Sequence, residues 1–279
     1  MLVFTRPDEW SQLRKHYFGN PHSVGFVPTM GALHDGHRTL LERAARENTI
    51  CVCSIFVNPT QFDKAEDLEK YPRTLHNDLS AAEAAGCDVA FVPSVQAMYG
   101  DDVRSRVADY GHLTSTLEGA HRPGHFDGVV TIVGKLFDAV RPDKAYFGEK
   151  DFQQLAIIRA FVEHEQRKEQ IIPCELVRDR DGLALSSRNV RLSPTARQNA
   201  LAIPQTLREM QKRRSQLDPS GLERWGMRHL EQQPGVDLEY LAVVNENTFK
   251  QPEDWGEPVR ALVAANVGGV RLIDNVALS

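Results

Sequence analysis

"TICVCSIFV", residues 49–57, is apolar almost throughout and does not alternate. A strand with one wet face would alternate, whereas an unbroken apolar run is expected where helices cover both faces of a parallel sheet. The segments on either side agree. Residues 23–28, 88–92 and 144–147 read as further strands, and 171–177 as one more of the same kind after the helix that precedes it. Between them, 8–18, 36–47, 74–85, 128–140 and 152–163 read as helices. In 36–47, Leu40, Leu41, Ala44 and Ala45 share one face, while Glu42, Arg43, Arg46 and Glu47 take the other. Strand and helix in alternation imply an α/β fold with a Rossmann-like, doubly wound parallel sheet. The pattern changes after Val177. "RDRDGLALSSRN" (178–189) is polar and turn-rich, 194–213 and 220–231 read as helices, and 236–244, 259–266 and 270–276 as strands. This gives an expected division into a larger domain, 1–177, and a smaller α+β C-terminal domain, 178–279.

The composition excludes several classes. At 279 residues, 41% apolar and 25% charged, the chain is long enough to bury a substantial core. A net charge of −5 argues against a nucleic-acid surface. No apolar stretch is long enough to span a bilayer, and "MLVFTRPDEW" lacks the basic and apolar regions of a signal peptide. Cys51, Cys53, Cys87 and Cys174 form no C-x-x-C pair and are expected to be reduced thiols. A cytoplasmic protein is expected.

An open parallel sheet binds ligands beyond the carboxyl ends of its strands, so the segments leaving those ends carry the chemistry. They are "PTMGALHDGH" (28–37), "NPTQF" (58–62), "GEKDFQQ" (148–154) and "RDRDGLALSSR" (178–188). G-x-G is absent, and so is a G-x-S-x-G elbow. "GVVTIVGK" (128–135) misses P-loop spacing and reads as helix interior.

The two imidazoles of 28–37 admit three readings. A helix beginning at Gly36 or His37 would offer unpaired N–H groups and partial positive charge to a phosphate, with His37 turned into the crevice and His34 approaching from the loop. Gly31 would let the backbone come close to a ligand. A first-turn histidine is also commonly a cap or a satisfied interior residue. Zinc would need a third ligand, for which His76, His121 and His125 are present without a committing spacing. "DRDG" is better explained as a tight turn than as a calcium loop.

"PTMGALHDGH" resembles the HxGH signature of the nucleotidylyltransferase superfamily. Together with "SIFVNPTQF", "YPRTL", "EGAHRPGHFDGV", "FGEKDFQQL", "DGLALSSRN" and the terminal "RLIDN", in that order, the chain resembles the pantoate–β-alanine ligase family. The resemblance implies ATP-dependent joining of pantoate to β-alanine through a pantoyl adenylate, with Mg²⁺ accompanying the nucleotide and no protein ligand for it identified. It implies a nucleotide- and pantoate-binding first domain, a C-terminal lid and a homodimer. Met30, Gly31, Ala32, Leu33, His34, Asp35, Gly36 and His37 would line the ATP site, with His34 and His37 on the phosphates. Lys150 would neutralise phosphate oxygens beside Gly148, Glu149 and Asp151, Val177 would meet adenine, and Leu185, Ser186, Ser187 and Arg188 would hold pyrophosphate. Gln61 and Gln154 would grip pantoate, helped by Asn58, Arg122 and His125. Asp127 stands where the family pattern implies a basic residue; close to phosphates, its charge would repel them.

Overall fold

A computed structural model describes residues 1–14, 16, 22–63 and 65–278. The chain divides into two compact units, Met1–Glu149 with Gln153–Glu175, and Lys150–Phe152 with Leu176–Ser279.

The first unit is built on six strands, β1 (Leu2–Phe4), β2 (Val24–Thr29), β3 (Ile50–Ile55), β4 (Val89–Phe91), β5 (Lys144–Gly148) and β6 (Gln170–Cys174). Their order is β1-β4-β3-β2-β5-β6, and each neighbouring pair is parallel. The apolar run that suggested this sheet is explained by its two faces. Ile50 and Val52 enter one core with Phe26, Phe91 and Phe137, while Cys51 and Cys53 enter another with Val27, Leu41 and Tyr146. Every residue of β3 is therefore buried. From β2 the sheet grows through β3 on one side and through β5 on the other. The topological switch point lies between β2 and β5, which marks the crevice where such sheets take ligands.

The second unit carries an antiparallel sheet of β7 (Val236–Asn245), β8 (Val259–Val267) and β9 (Val270–Ala277), in that order. The helices Pro194–Ala200, Ala202–Arg213 and Pro219–Glu231 bury Ala200, Ile203, Leu207, Met210, Leu222 and Leu230 with Leu241, Val243, Ala261 and Val263 of the sheet.

Several boundaries differ from the sequence reading for identifiable reasons. β6 stops at Cys174 instead of 177, because β5, opposite it, ends at Gly148 and leaves 175–177 without a ladder partner. β3 stops at Ile55, shortly before Pro59 opens a 3-10 turn, Pro59–Gln61. The helix expected at 128 starts at His125, after Gly124 in a left-handed conformation (φ 80°). The stretch 194–213 is two helices broken at Leu201. Pro204 cannot donate to the carbonyl of Ala200 and its ring crowds that carbonyl, so a continuous helix is disfavoured. The first helix is Pro7–Leu13, and the part of the expected helix at 17–18 lies outside the described residues. Among the described residues no helix is long and apolar enough to cross a membrane. All four cysteines are buried, and none is in a disulfide.

Candidate active site

The segment leaving β2 enters the switch point and passes into the helix Asp35–Glu47. That helix starts one residue earlier than the sequence suggested, because His34 caps it. Nδ1 of His34 accepts from the Gly36 N–H at 3.1 Å, and Nδ1 of His37 reaches back to the His34 N–H at 3.3 Å. This is the reciprocal arrangement of a capping box, with imidazoles in place of the usual hydroxyl and carboxylate. The cap reading and the ligand reading are thus compatible. A ring nitrogen that accepts carries no proton, so each neutral imidazole bears its N–H on Nε2. The two rings lie 4.1 Å apart, tilted by 40°. The result is a pair of adjacent imidazoles, each tied to backbone at one nitrogen and a donor at the other.

The loop before them is held by a residue that sequence reading missed. Asp78, in the helix Leu75–Ala84, is only 2% exposed. Its carboxylate accepts from the amides of Ala32 (3.1 Å) and Leu33 (2.8 Å) and from the Thr74 hydroxyl (3.2 Å). Gly31 has φ +81°, and a Cβ there would lie 3.0 Å from Asp78 Oδ2 and 3.2 Å from Ile55 Cγ2. The loop's own turn against Asp78 by itself calls for a glycine here.

A second cluster forms beyond β3. Asn58 is buried, donates through Nδ2 to Gln61 Oε1 and the Gly128 carbonyl (3.1 Å each), and accepts from Tyr99 (2.6 Å) and Thr60 (3.2 Å). Gln61 in turn donates to Met30 Sδ at 3.0 Å, which brings this cluster to the start of the histidine loop. The Gln61 carbonyl receives His125 Nδ1 at 2.8 Å and Arg122 Nη2 at 3.3 Å. Because Arg122 Nη1, a donor only, faces His125 Nε2 at 3.0 Å, His125 carries its proton on Nδ1. Arg122 also pairs with Asp63 (3.5 Å) and Glu118 (3.7 Å). Asn58, Arg122 and His125 thus buttress Gln61. Asp127 accepts the Ala108 N–H at 2.8 Å in the first helical turn, where the helix end favours an acid. Gln154 is half-buried on the helix Phe152–His164, and its neighbour Gln153 is buried and ties down the Glu118 amide and the Leu113 and Thr116 carbonyls. Gly148 ends β5 and Glu149 opens the 3-10 turn Glu149–Asp151, and a Cβ on Gly148 would have no neighbour within 4 Å.

The remaining candidates belong to the second unit. Lys150 Nζ lies 3.9 Å from Asp151 Oδ2. The Val177 carbonyl accepts from Leu185 at 3.0 Å, closing a hairpin-like turn through Gly182 (φ +94°). Ser186 Oγ accepts the Arg188 N–H at 3.2 Å, so the serine shapes the turn that carries the arginine. Arg178 grips both oxygens of Asp274 at 2.7 and 2.8 Å. Burial pushes the Asp274 carboxyl above its ordinary range, and the Arg178 guanidinium pulls it back.

Among the described residues no group of three or more His, Cys, Asp or Glu is placed to hold a metal, so zinc at His34 and His37 lacks its third protein ligand. A cavity of about 530 Å³ lined by Phe137, Arg141, Asp143 and Arg167 lies at the amino ends of β5 and β6, off the edge that the histidine loop leaves. Its Arg167 is satisfied by Asp138 (2.7 Å) and Glu169 (2.9 Å).

A switch-point loop with paired imidazoles, set on a parallel sheet and joined to a smaller antiparallel unit, defines a Rossmann-like α/β protein. The chain belongs to the pantoate–β-alanine ligase family: the family model described as Pantoate-beta-alanine ligase matches residues 2–277. It is 49% identical over 255 residues to the pantothenate synthetase of Bacteroides thetaiotaomicron, covering 91% of this chain and 90% of that one. It is 46% identical to that of Porphyromonas gingivalis over 99% of both chains. The pantothenate synthetase structure from Thermus thermophilus superposes with a TM-score of 0.92 at 42% identity, covering 100% and 99% of the two chains. The Francisella tularensis pantoate–β-alanine ligase, complexed with β-γ ATP and β-alanine, gives 0.82 at 34% identity, covering 100% and 98%.

Proposed function

We propose that this protein joins pantoate to β-alanine at the expense of ATP, through a pantoyl adenylate. The pantoate carboxylate attacks the α-phosphorus of ATP and pyrophosphate leaves. The β-alanine amine then attacks the activated carbonyl, an amide forms and AMP departs. Activation is needed because a free carboxylate and an amine only form a salt.

The observation that carries this reading is the tautomer of the paired imidazoles. Two Nε2–H donors fixed at a helix start suit the charge that builds on phosphate oxygens during attack, and they need transfer no proton to do so. Lys150 adds a full positive charge, and Arg188, with Leu185, Ser186 and Ser187, receives the leaving pyrophosphate. Met30 through His37, Gly148, Glu149, Asp151 and the Val177 backbone complete the ATP site. Gln61 and Gln154, which both donate and accept, suit a ligand bearing hydroxyls and a carboxylate. Gln61 also faces β-alanine, while Asn58, Arg122 and His125 fix its backbone and amide. Mg²⁺ would be held chiefly by the triphosphate, since no carboxylate cage is placed for it among the described residues, and would supply charge neutralisation.

Incubation with ATP, pantoate and β-alanine should yield AMP, pyrophosphate and an amide in equal amounts; ADP as the nucleotide product would end the proposal. The open space beside Gly148 gives a second check. Gly148→Ala meets no protein atom, so the melting temperature should hold while the KM for ATP rises about tenfold, equivalent to ~1.4 kcal/mol. An unchanged KM would remove Gly148 from the nucleotide site. The proposal includes a homodimer, checked by light scattering, and a cytoplasmic setting, which suits four buried free thiols.

A further inference from the structure

The "RLIDN" stretch of β9 takes no part in the scheme above, yet it ends on two buried polar residues. Asn275 is 3% exposed, and each side of its amide is used. Its Nδ2 donates to the Lys150 carbonyl at 3.0 Å, and its Oδ1 accepts from Arg260 Nη1 at 2.7 Å. Arginine only donates and a carbonyl only accepts, so the amide can face just one way. Asp274 fixes the strand beside it, bound to both arms of Arg178 and to the Asn275 N–H (2.7 Å). The other end of the same short turn is held too. Arg260 lies 4.0 Å over the ring of Phe152, which stacks on Phe249 with centroids 5.7 Å apart. Lys150–Phe152 groups accordingly with the second unit, although Lys150 follows β5 in the chain.

We infer that Asn275, oriented by Arg260, is a positioning residue for Lys150: it fixes the lysine's backbone so that the ammonium is delivered to the nucleotide's phosphates. This rests on the phosphate role proposed for Lys150. An asparagine is required because the site needs a donor on one side and an acceptor on the other. Aspartate would keep the acceptor for Arg260 and set a second acceptor against the Lys150 carbonyl.

A double-mutant cycle on the full-length protein tests this, read by pantoate-dependent exchange of labelled pyrophosphate into ATP. Lys150→Ala is expected to lower the exchange turnover about a hundredfold, in the range of losing one preorganised charge-stabilising group. Asn275→Ala should lower it roughly tenfold, and should take the Lys150→Ala background down by less than about twofold, because it acts through the lysine. Asn275→Asp, nearly isosteric, should match Asn275→Ala and serves if the alanine variant does not fold. Thermal unfolding confirms that the compared variants are folded. Wild-type exchange in the folded Asn275 variants, or the same fold-loss with and without Lys150, overturns the inference. Full exchange in Lys150→Ala would instead overturn the phosphate role on which it rests.

Discussion

His37→Ala is expected to reduce turnover by about two to three orders of magnitude, the loss seen when one preorganised donor is taken from a developing charge. Two effects are mixed in that substitution. Nδ1 of His37 also closes the capping box on the His34 amide, so helix stability should fall by roughly 0.5–1 kcal/mol. His37→Gln separates them. Glutamine at this helix position can reach back to the same amide, so stability should recover while turnover stays low. A folded His37→Ala enzyme with less than a threefold loss would remove His37 from the chemistry.

Asp78→Ala should have the largest effect on stability. It strips the acceptor from the half-buried Ala32 and Leu33 amides and from the Thr74 hydroxyl, and each orphaned donor costs about 1 kcal/mol, the low end of the range because water partly reaches these groups. A total near 3 kcal/mol corresponds to a melting temperature lower by about 6–12 °C. Turnover should fall with it, roughly tenfold, since a loop displaced by a fraction of an ångström no longer presents its imidazoles correctly. Asp78→Asn should fall between, because its NH₂ cannot accept from a facing amide. A variant that melts with the wild type would show that the loop is held by other contacts.

Much of the fold is legible in the sequence because both faces of β3 are covered, and covered faces leave an unbroken apolar run. The reading failed where elements are short or set by partners. β1 has three residues, too few for any periodicity, and exists through its pairing with β4. The break at Leu201 is legible in Pro204, which a single helix over 194–213 would carry in its interior. His34 and His37 could be found, but their tautomer could not, since it depends on two backbone contacts. Asp78 stands in the polar run "HND" (76–78), which gives no local reason to single it out. It shares a buried stripe with Ala82 and Ala85 at i, i+4 and i+7, and an acid on such a stripe signals a carboxylate with buried donors. Asp274 gives the same signal in a strand, in phase with the buried Val270 and Leu272. Arg122 and His125 are expected beside the substrate on the family resemblance alone; the contacts they make with Gln61, and Arg122 with acids, follow from no local pattern.

At the centre of this chemistry stands transfer of an adenylyl group to a carboxylate before any amine is involved. Exchange of labelled pyrophosphate into ATP, measured without β-alanine, tests it most directly. Rapid exchange is expected when pantoate is present and none when it is left out. Exchange that ignores pantoate, or that appears only once β-alanine is added, would contradict it.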